Sequence, residues 1–134
     1  MENLESLEKA INSELTTKIL SSNIKHDQIN ICIEDNNLID VMIFLKTHLS
    51  TKFKQLIDIT AVDYPERDKR FKMVYLLLSH EKNSRIKIEF DMQEGEIITS
   101  LTSIFPSANW MEREVFDMYG VEFKDHPDLR RILT

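Results

Sequence analysis

Hydrophobic periodicity divides the first third of the chain into helical and extended segments. Residues 2–20 carry apolar side chains three and four positions apart, which predicts an amphipathic helix ending at residues 21–23. Isoleucines alternate with polar residues between Gln28 and Glu34, and this pattern predicts a strand. Asp35–Asn37 then supplies a turn and a helix cap, and residues 38–49 form a predicted helix that is apolar almost all round.

Three further strands are predicted in the middle of the chain. Residues 56–64 are rich in β-branched side chains, and residues 71–79 are apolar on both faces, as in the interior of a sheet. Residues 85–91 alternate between apolar and charged side chains after a polar hairpin turn. Residues 97–101 are expected to be a short fourth member of this meander.

The last predicted element is a C-terminal helix with recognisable ends. Pro106 stands at its first turn, Ser103 or Ser107 is positioned to cap it, and Gly120 ends it in a left-handed conformation. The order α-β-α-β-β-β-α predicts a single α+β domain over residues 1–134. It has a mainly antiparallel sheet of about four strands, two helices packed on it and a C-terminal helix.

This C-terminal helix carries a carboxylate on its apolar side. At about 100° per residue, Glu112 falls within the arc of Met111, Val115, Phe116, Met118 and Tyr119. The opposite side holds four further residues: Trp110, Arg113, Glu114 and Asp117. A buried carboxylate is costly unless it is paired, so we expect a partner for it within the fold or on another chain.

Charged residues near the helix offer two specific pairings. Arg130 and Arg131 could neutralise Glu112, and Arg113 with Asp117, four residues apart, is predicted to form a surface ion pair.

Composition excludes several functions. A net charge of −6 argues against nucleic-acid binding, and one cysteine, Cys32, cannot form an intrachain disulfide or hold an iron–sulfur cluster alone. Two isolated glycines cannot build a dinucleotide or nucleotide loop, and no apolar run is long enough to cross a membrane. The N-terminus is acidic, unlike a targeting presequence.

Candidate catalytic residues are sparse. The four histidines are scattered, and His126 beside Pro127 is best interpreted as part of a hydrogen-bonded turn, with a catalytic base as the alternative. Glu112 and Asp117 point to different sides of the helix, so they cannot share one small site. The residues therefore indicate a component of a complex or a binding module rather than a self-sufficient enzyme.

The C-terminal motif resembles the signature of one protein family. Glu112-Arg113-Glu114, Asp117-Met118-Tyr119, His126, Arg130 and Ile132-Leu133, in this spacing, are similar to the signature of the C subunit of the proton-translocating NADH-quinone oxidoreductase, respiratory complex I. Residues 56–65, residues 70–71 with 74–79, and residues 105–110 also resemble segments of that family.

The resemblance implies a non-catalytic component of the peripheral arm of the complex. Such a protein packs on the large, hydrogenase-like D subunit near the quinone site, on the cytoplasmic side of the bacterial inner membrane or the mitochondrial matrix side. It binds no cofactor itself, because FMN, the iron–sulfur clusters and the quinone belong to other subunits. It is not inserted into the membrane.

The interface residues implied by the resemblance lie mainly in the C-terminal segment. They are Trp110, Glu112, Arg113, Glu114, Asp117, Tyr119, His126, Arg130 and Arg131, with Asp63 and Tyr64 as secondary candidates. Members of the family continue past this segment with a tail along the D subunit. Since this chain stops at Thr134, we expect that the tail has been lost or trimmed.

Two alternatives belong to other functional classes. The same module could serve a membrane-bound [NiFe] hydrogenase or formate hydrogenlyase complex. A small hydrolase using Glu112 and His126 is the third possibility.

Overall fold

The protein is described by a computed structural model over residues 4–48 and 51–127. Its elements follow the chain in this order: α1 Leu4–Glu14, β1 Ile19–Lys25, β2 Gln28–Ile33, a 3-10 turn Asp35–Asn37, α2 Leu38–Thr47, β3 Gln55–Asp63, β4 Phe71–Ser79, β5 Ser84–Met92, β6 Ile97–Thr99, α3 Ala108–Tyr119 and β7 Glu122–Lys124. None of the described helices combines the length and apolarity needed to span a membrane.

Five strands form one mixed sheet in the order β1-β2-β5-β4-β3. All neighbours are antiparallel except β2 and β5, which are parallel and pair Ile29 with Ile86 and Ile31 with Ile88. The α+β class, the mainly antiparallel sheet and the C-terminal helix are confirmed. The interior position predicted for β4 is also confirmed, because it lies between β5 and β3.

One face of the sheet carries the core. Alternate residues of β4, β5 and β2 are buried, and the buried residues of α1, α2 and α3 join them in one apolar cluster. The other face of these three strands is partly exposed and mixes charged and apolar side chains. Ile43 is 45% exposed, so α2 is not covered all round as its composition suggests.

The prediction of a helix over residues 2–20 that ends at residues 21–23 is wrong in its extent. The helix α1 ends at Glu14, and Ile19–Lys25 form β1, which pairs with β2 through a two-residue hairpin loop, His26 and Asp27. Both loop residues have positive φ, 55° and 58°, as a type I′ turn requires. The sheet therefore has one strand more than predicted.

The strand predicted within residues 97–101 is present at Ile97–Thr99, but its predicted place in the meander is wrong. β6 does not extend the meander but pairs in parallel with β7 in a separate two-stranded sheet, where Ile98 faces Phe123. Ser100, directly after β6, donates its backbone N–H to the carbonyl of Lys124 at 2.9 Å. This small sheet holds the segments on either side of α3 together.

The ends of α3 differ in how well the sequence predicts them. Gly120 has φ 71° and donates its N–H to the Phe116 carbonyl at 2.8 Å, which confirms the predicted left-handed end. Val121 is buried after it, as expected. The predicted serine cap is wrong, because Ser107 has helical backbone angles and its hydroxyl donates to the Leu56 carbonyl at 3.2 Å.

Candidate functional site

The outward side of α3 presents a mixed aromatic and charged surface. Trp110 is 55% exposed, and Arg113, Glu114 and Asp117 are exposed beside it, as the helical periodicity predicts. The same periodicity places Met118 on the apolar side, but its side chain is 72% exposed. The predicted ion pair between Arg113 and Asp117 is not formed within the part of the chain that the structure describes.

Glu112 lies on the opposite side of α3 and is fully buried, with 0% exposure. Its hydrogen-bond partners lie in the segment that follows β6. The Ser100 hydroxyl donates to Glu112 Oε1 at 2.5 Å, and the backbone N–H of Leu101 donates to Oε2 at 2.8 Å. The carboxylate therefore joins the middle of α3 to the end of the β6–β7 sheet.

The partner of Glu112 is thus inside this chain, in agreement with one of the two expectations. Ser100 and Leu101 are not the predicted partners, and the proposed pairing with Arg130 and Arg131 lies outside the described residues. No local sequence pattern links Ser100 to a residue 12 positions later. The only sequence feature that points to this contact is the polar residue Ser100 within the strand predicted over residues 97–101.

His126 lies on the same buried side, next to β7. Its Nε2 is 2.7 Å from the carbonyl oxygen of Asn109 in the first turn of α3. Since a carbonyl only accepts, Nε2 carries the proton and donates it here. Glu112 Oε1 is 3.9 Å from the same nitrogen, beyond hydrogen-bond distance. The structure therefore shows a hydrogen-bonded histidine that holds the residues after β7 against α3.

Burial controls the electrostatics of this cluster. It raises the pKa of Glu112 above its usual value, while the hydrogen bonds from Ser100 and Leu101 and the nearby His126 act in the opposite direction. Tyr75 on β4 is fully buried nearby, and burial together with the Glu112 charge raises its pKa well above the usual value. The Tyr75 hydroxyl has no hydrogen-bond partner among the described residues.

Tyr119 occupies the boundary between the two sides of α3. It is partly buried, and its ring meets the edge of Phe71 with centroids 6.3 Å apart. Its position suits packing against this domain at least as well as contact with a partner.

The secondary candidates Asp63 and Tyr64 lie in a different place, at the start of the β3–β4 connection. Arg70 donates two hydrogen bonds to the Asp63 carboxylate, at 2.7 and 2.9 Å, and holds the pKa of Asp63 below its usual value. Arg67 stacks over the exposed Tyr64 ring at 4.8 Å. The residues from Asp63 to Arg67 line a shallow pocket of about 270 Å³.

This arrangement separates the predicted site residues into two groups. Glu112 and His126 are buried and fix the position of α3, whereas Trp110, Arg113, Glu114 and Asp117 face outward. No group of three or more histidine, cysteine or acidic side chains is placed to hold a metal ion within residues 4–48 and 51–127. The arrangement suits recognition of another macromolecule by the outer side of α3.

Comparison with known families gives one match over most of the chain. The profile of the family described as the 30 kDa subunit of respiratory-chain NADH dehydrogenase matches residues 31–134. That range contains every predicted site residue and the elements from α2 to β7.

Similar curated proteins carry a consistent name. The chain is 52% identical over 116 residues to the C subunit of NADH-quinone oxidoreductase from Dinoroseobacter shibae, covering 87% of this chain and 54% of that protein. It is 45% identical over 134 residues to the protein of the same name from Ruegeria sp., covering 100% of this chain and 67% of that one. The chain therefore spans between about half and two thirds of the length of these two relatives.

Two solved structures share the fold. The trypsin-resistant fragment (1–134) of Nqo5 superposes with a TM-score of 0.77 and 25% identity, covering 94% of this chain and 98% of the fragment. A chain of the membrane-bound sulfane sulfur reductase, an archaeal respiratory membrane complex, superposes with a TM-score of 0.82 at 20% identity. The superposition covers 92% of this chain and 72% of the reductase chain. The second likeness concerns the fold alone.

Proposed function

Because the chain belongs to the family of the 30 kDa subunit of respiratory-chain NADH dehydrogenase, we propose that it is a non-catalytic component of the peripheral arm of a proton-translocating NADH-quinone oxidoreductase. In this role it packs on the D-subunit homologue near the quinone site and supports electron transfer from NADH to quinone. FMN, the iron–sulfur clusters and the quinone are held by other subunits.

The outward side of α3 carries this proposal. The residues that contribute most of the binding energy of protein interfaces are enriched in tryptophan and arginine. Trp110 and Arg113 are both exposed on this surface and lie one helical turn apart. Glu112 and His126 fix the helix from its buried side, so the surface is already ordered before a partner binds. An ordered surface loses less conformational entropy on binding.

The cellular location follows from the same proposal. A component of the peripheral arm lies on the cytoplasmic side of the bacterial inner membrane, or on the matrix side of the inner mitochondrial membrane. In this proposal its attachment to the membrane is through the other subunits of the complex.

Co-purification with the D-subunit homologue of the same organism tests the proposal. Trp110→Ala, which truncates an interface anchor, and Arg113→Glu, which reverses a charge, are each expected to weaken the complex about 10-fold or more. Leu20→Ala is the matched control, because Leu20 is 60% exposed on β1, at the far edge of the sheet from α3. Absence of a complex, or equal losses for the control and the two α3 variants, would contradict the proposal.

A second measurement addresses the non-catalytic role. We expect no NADH oxidation by the purified chain alone, and activity in this assay would overturn that part of the proposal.

An equivalent component of a membrane-bound [NiFe] hydrogenase or formate hydrogenlyase complex is the alternative. The structural likeness to the sulfane sulfur reductase chain extends to the fold and does not favour this alternative. The curated relatives are named for the quinone-reducing complex, which supports the first proposal. Neighbouring genes for hydrogenase maturation would favour the second.

A further inference from the structure

The outer edge of β3 has backbone groups that do not face its neighbour in the sheet. Tyr64 donates its N–H to the Arg70 carbonyl at 2.7 Å, so these two residues form a hydrogen-bonded pair. The register continues with Asp63 opposite Phe71 and Thr60 opposite Val74. Hydrogen-bonded and non-bonded pairs alternate along an antiparallel ladder.

This alternation assigns a direction to each backbone group of β3. Thr60 and Val62 direct their N–H and C=O groups toward β4. Ile59, Ala61 and Asp63 direct theirs away from it, toward the edge of the sheet. β3 is the last strand on that side of the described sheet, and such an edge is a template for an added strand.

A groove runs along this edge between β3 and α3. Ile59 and Ala61 line it from the strand, Val115 and Met118 line it from the helix, and its volume is about 140 Å³. Met118 is the most exposed large apolar side chain among the described residues. Extended peptides bind other proteins by adding a strand to an unpaired sheet edge, and alternate side chains of the added strand enter pockets beside it.

The charge of the groove indicates what kind of segment fits it. Asp58 and Glu114 line it, and no lysine or arginine of the described residues does. A bound segment carrying lysine or arginine would complement these carboxylates. A second copy of this chain would instead bring the same carboxylates together, in a protein whose net charge is already −6.

We propose that an extended segment of the D-subunit homologue adds to β3 as a sixth strand of the sheet. Its backbone pairs with Ile59, Ala61 and Asp63, an apolar side chain contacts Met118 and Val115, and a lysine or arginine lies beside the two groove carboxylates. This inference rests on the proposed function and adds to it a mode of binding and a second contact surface.

Residue-resolved amide hydrogen exchange tests strand addition directly. In the isolated chain, we expect the amides of Ile59, Ala61 and Asp63 to exchange faster than those of Thr60 and Val62. In the complex with the D-subunit homologue, exchange at the same three amides should slow by about 100-fold or more. Each amide would then be hydrogen-bonded to the added strand and could exchange only when that strand detaches. A side-chain contact alone would not produce this alternation.

Two variants test the groove without touching the β3–β4 ladder. Met118→Lys should weaken the complex by about 10-fold or more, because it places a cation where an apolar contact is expected. Ile43→Lys is the matched control, since Ile43 is an exposed apolar residue on α2, and it should leave the affinity unchanged.

The outcomes separate this inference from the proposed function. If the complex forms but the three amides are not protected, or if Met118→Lys binds as well as Ile43→Lys, strand addition is wrong and the proposed function stands. If the amides are already protected in the isolated chain, the edge is occupied by a second copy or by this chain itself, and the inference fails. If no complex forms, both fail.

Discussion

Replacing Glu112 by alanine tests the buried carboxylate at the centre of the α3 attachment. The change removes the acceptor of two hydrogen bonds, one from the Ser100 hydroxyl and one from the Leu101 N–H. Ser100 keeps a partner, since its oxygen also lies 3.0 Å from the Thr102 hydroxyl. Leu101 is fully buried, so its N–H is left without an acceptor away from water.

The loss of stability expected for Glu112→Ala follows from these two hydrogen bonds. An orphaned buried donor costs about 1–3 kcal/mol, and a hydrogen bond to a charged group contributes about 1.5–3 kcal/mol. Removing the carboxylate also removes its desolvation penalty, which is visible in the raised pKa of Glu112. We therefore expect Glu112→Ala to lower the free energy of unfolding by about 2–4 kcal/mol.

Urea unfolding at pH 7 measures this change, followed by far-UV circular dichroism and by the fluorescence of the single tryptophan, Trp110. Glu114→Ala is the matched control, because Glu114 is an exposed glutamate two positions along the same helix. Glu112→Gln should lose less stability than Glu112→Ala, because its amide oxygen can still accept from Leu101. Equal midpoints for the two alanine variants at an unchanged denaturant slope would refute this reasoning.

Three further predictions concern single groups in the same part of the fold. Because the pKa of Glu112 is raised on folding, its protonated form favours the folded state. The free energy of unfolding of the wild type, relative to that of Glu112→Gln, should therefore rise as the pH falls from 7 toward 4.5, the ordinary pKa of a glutamate. Urea unfolding at several pH values across that range measures this difference. Gly120→Ala should lower the free energy of unfolding by about 1 kcal/mol in thermal or urea unfolding, because Gly120 has φ 71°, which strains any residue with a Cβ. An added Cβ would meet no atom within 4 Å, so we expect no steric clash beyond this backbone strain. Tyr75→Phe should leave stability unchanged or raise it by about 1 kcal/mol, because it removes a buried hydroxyl without a partner among the described residues. A large loss in that variant would show that the hydroxyl is hydrogen-bonded in solution.

The sequence predicts the interior of the sheet well because its pattern there is unambiguous. β4 begins and ends at the predicted residues, since its apolar side chains alternate between a buried and a half-buried face. β1 escapes detection because it is an edge strand without a buried residue, and Leu20 within it is exposed. Its apolar residues also continue the helical spacing of α1, so periodicity alone favours the wrong element.

Non-local pairing explains the other differences. The parallel pair β2–β5 and the separate pair β6–β7 join segments far apart in the sequence, and no local pattern encodes such partners. The burial of Glu112 is predictable from its angular position on the helix. Its partners Ser100 and Leu101 are not, because they come close to Glu112 only through the pairing of β6 with β7. Met118 departs from its predicted burial because α3 packs beside the edge strand β3, where the sheet does not extend far enough to cover it.

The two sides of α3 should respond differently to substitution, because one side holds the helix in place and the other is free to bind. Loss of Glu112 removes contacts within the chain, so its effect on complex formation should follow the loss of stability and recover at lower temperature. Trp110 is largely exposed, so Trp110→Ala should leave the unfolding midpoint unchanged while it weakens the complex at every temperature. Measuring the urea midpoint and the affinity for the D-subunit homologue in both variants distinguishes the two roles. If Trp110→Ala lowers stability as much as affinity, the outer side of α3 is part of the domain and not its interface.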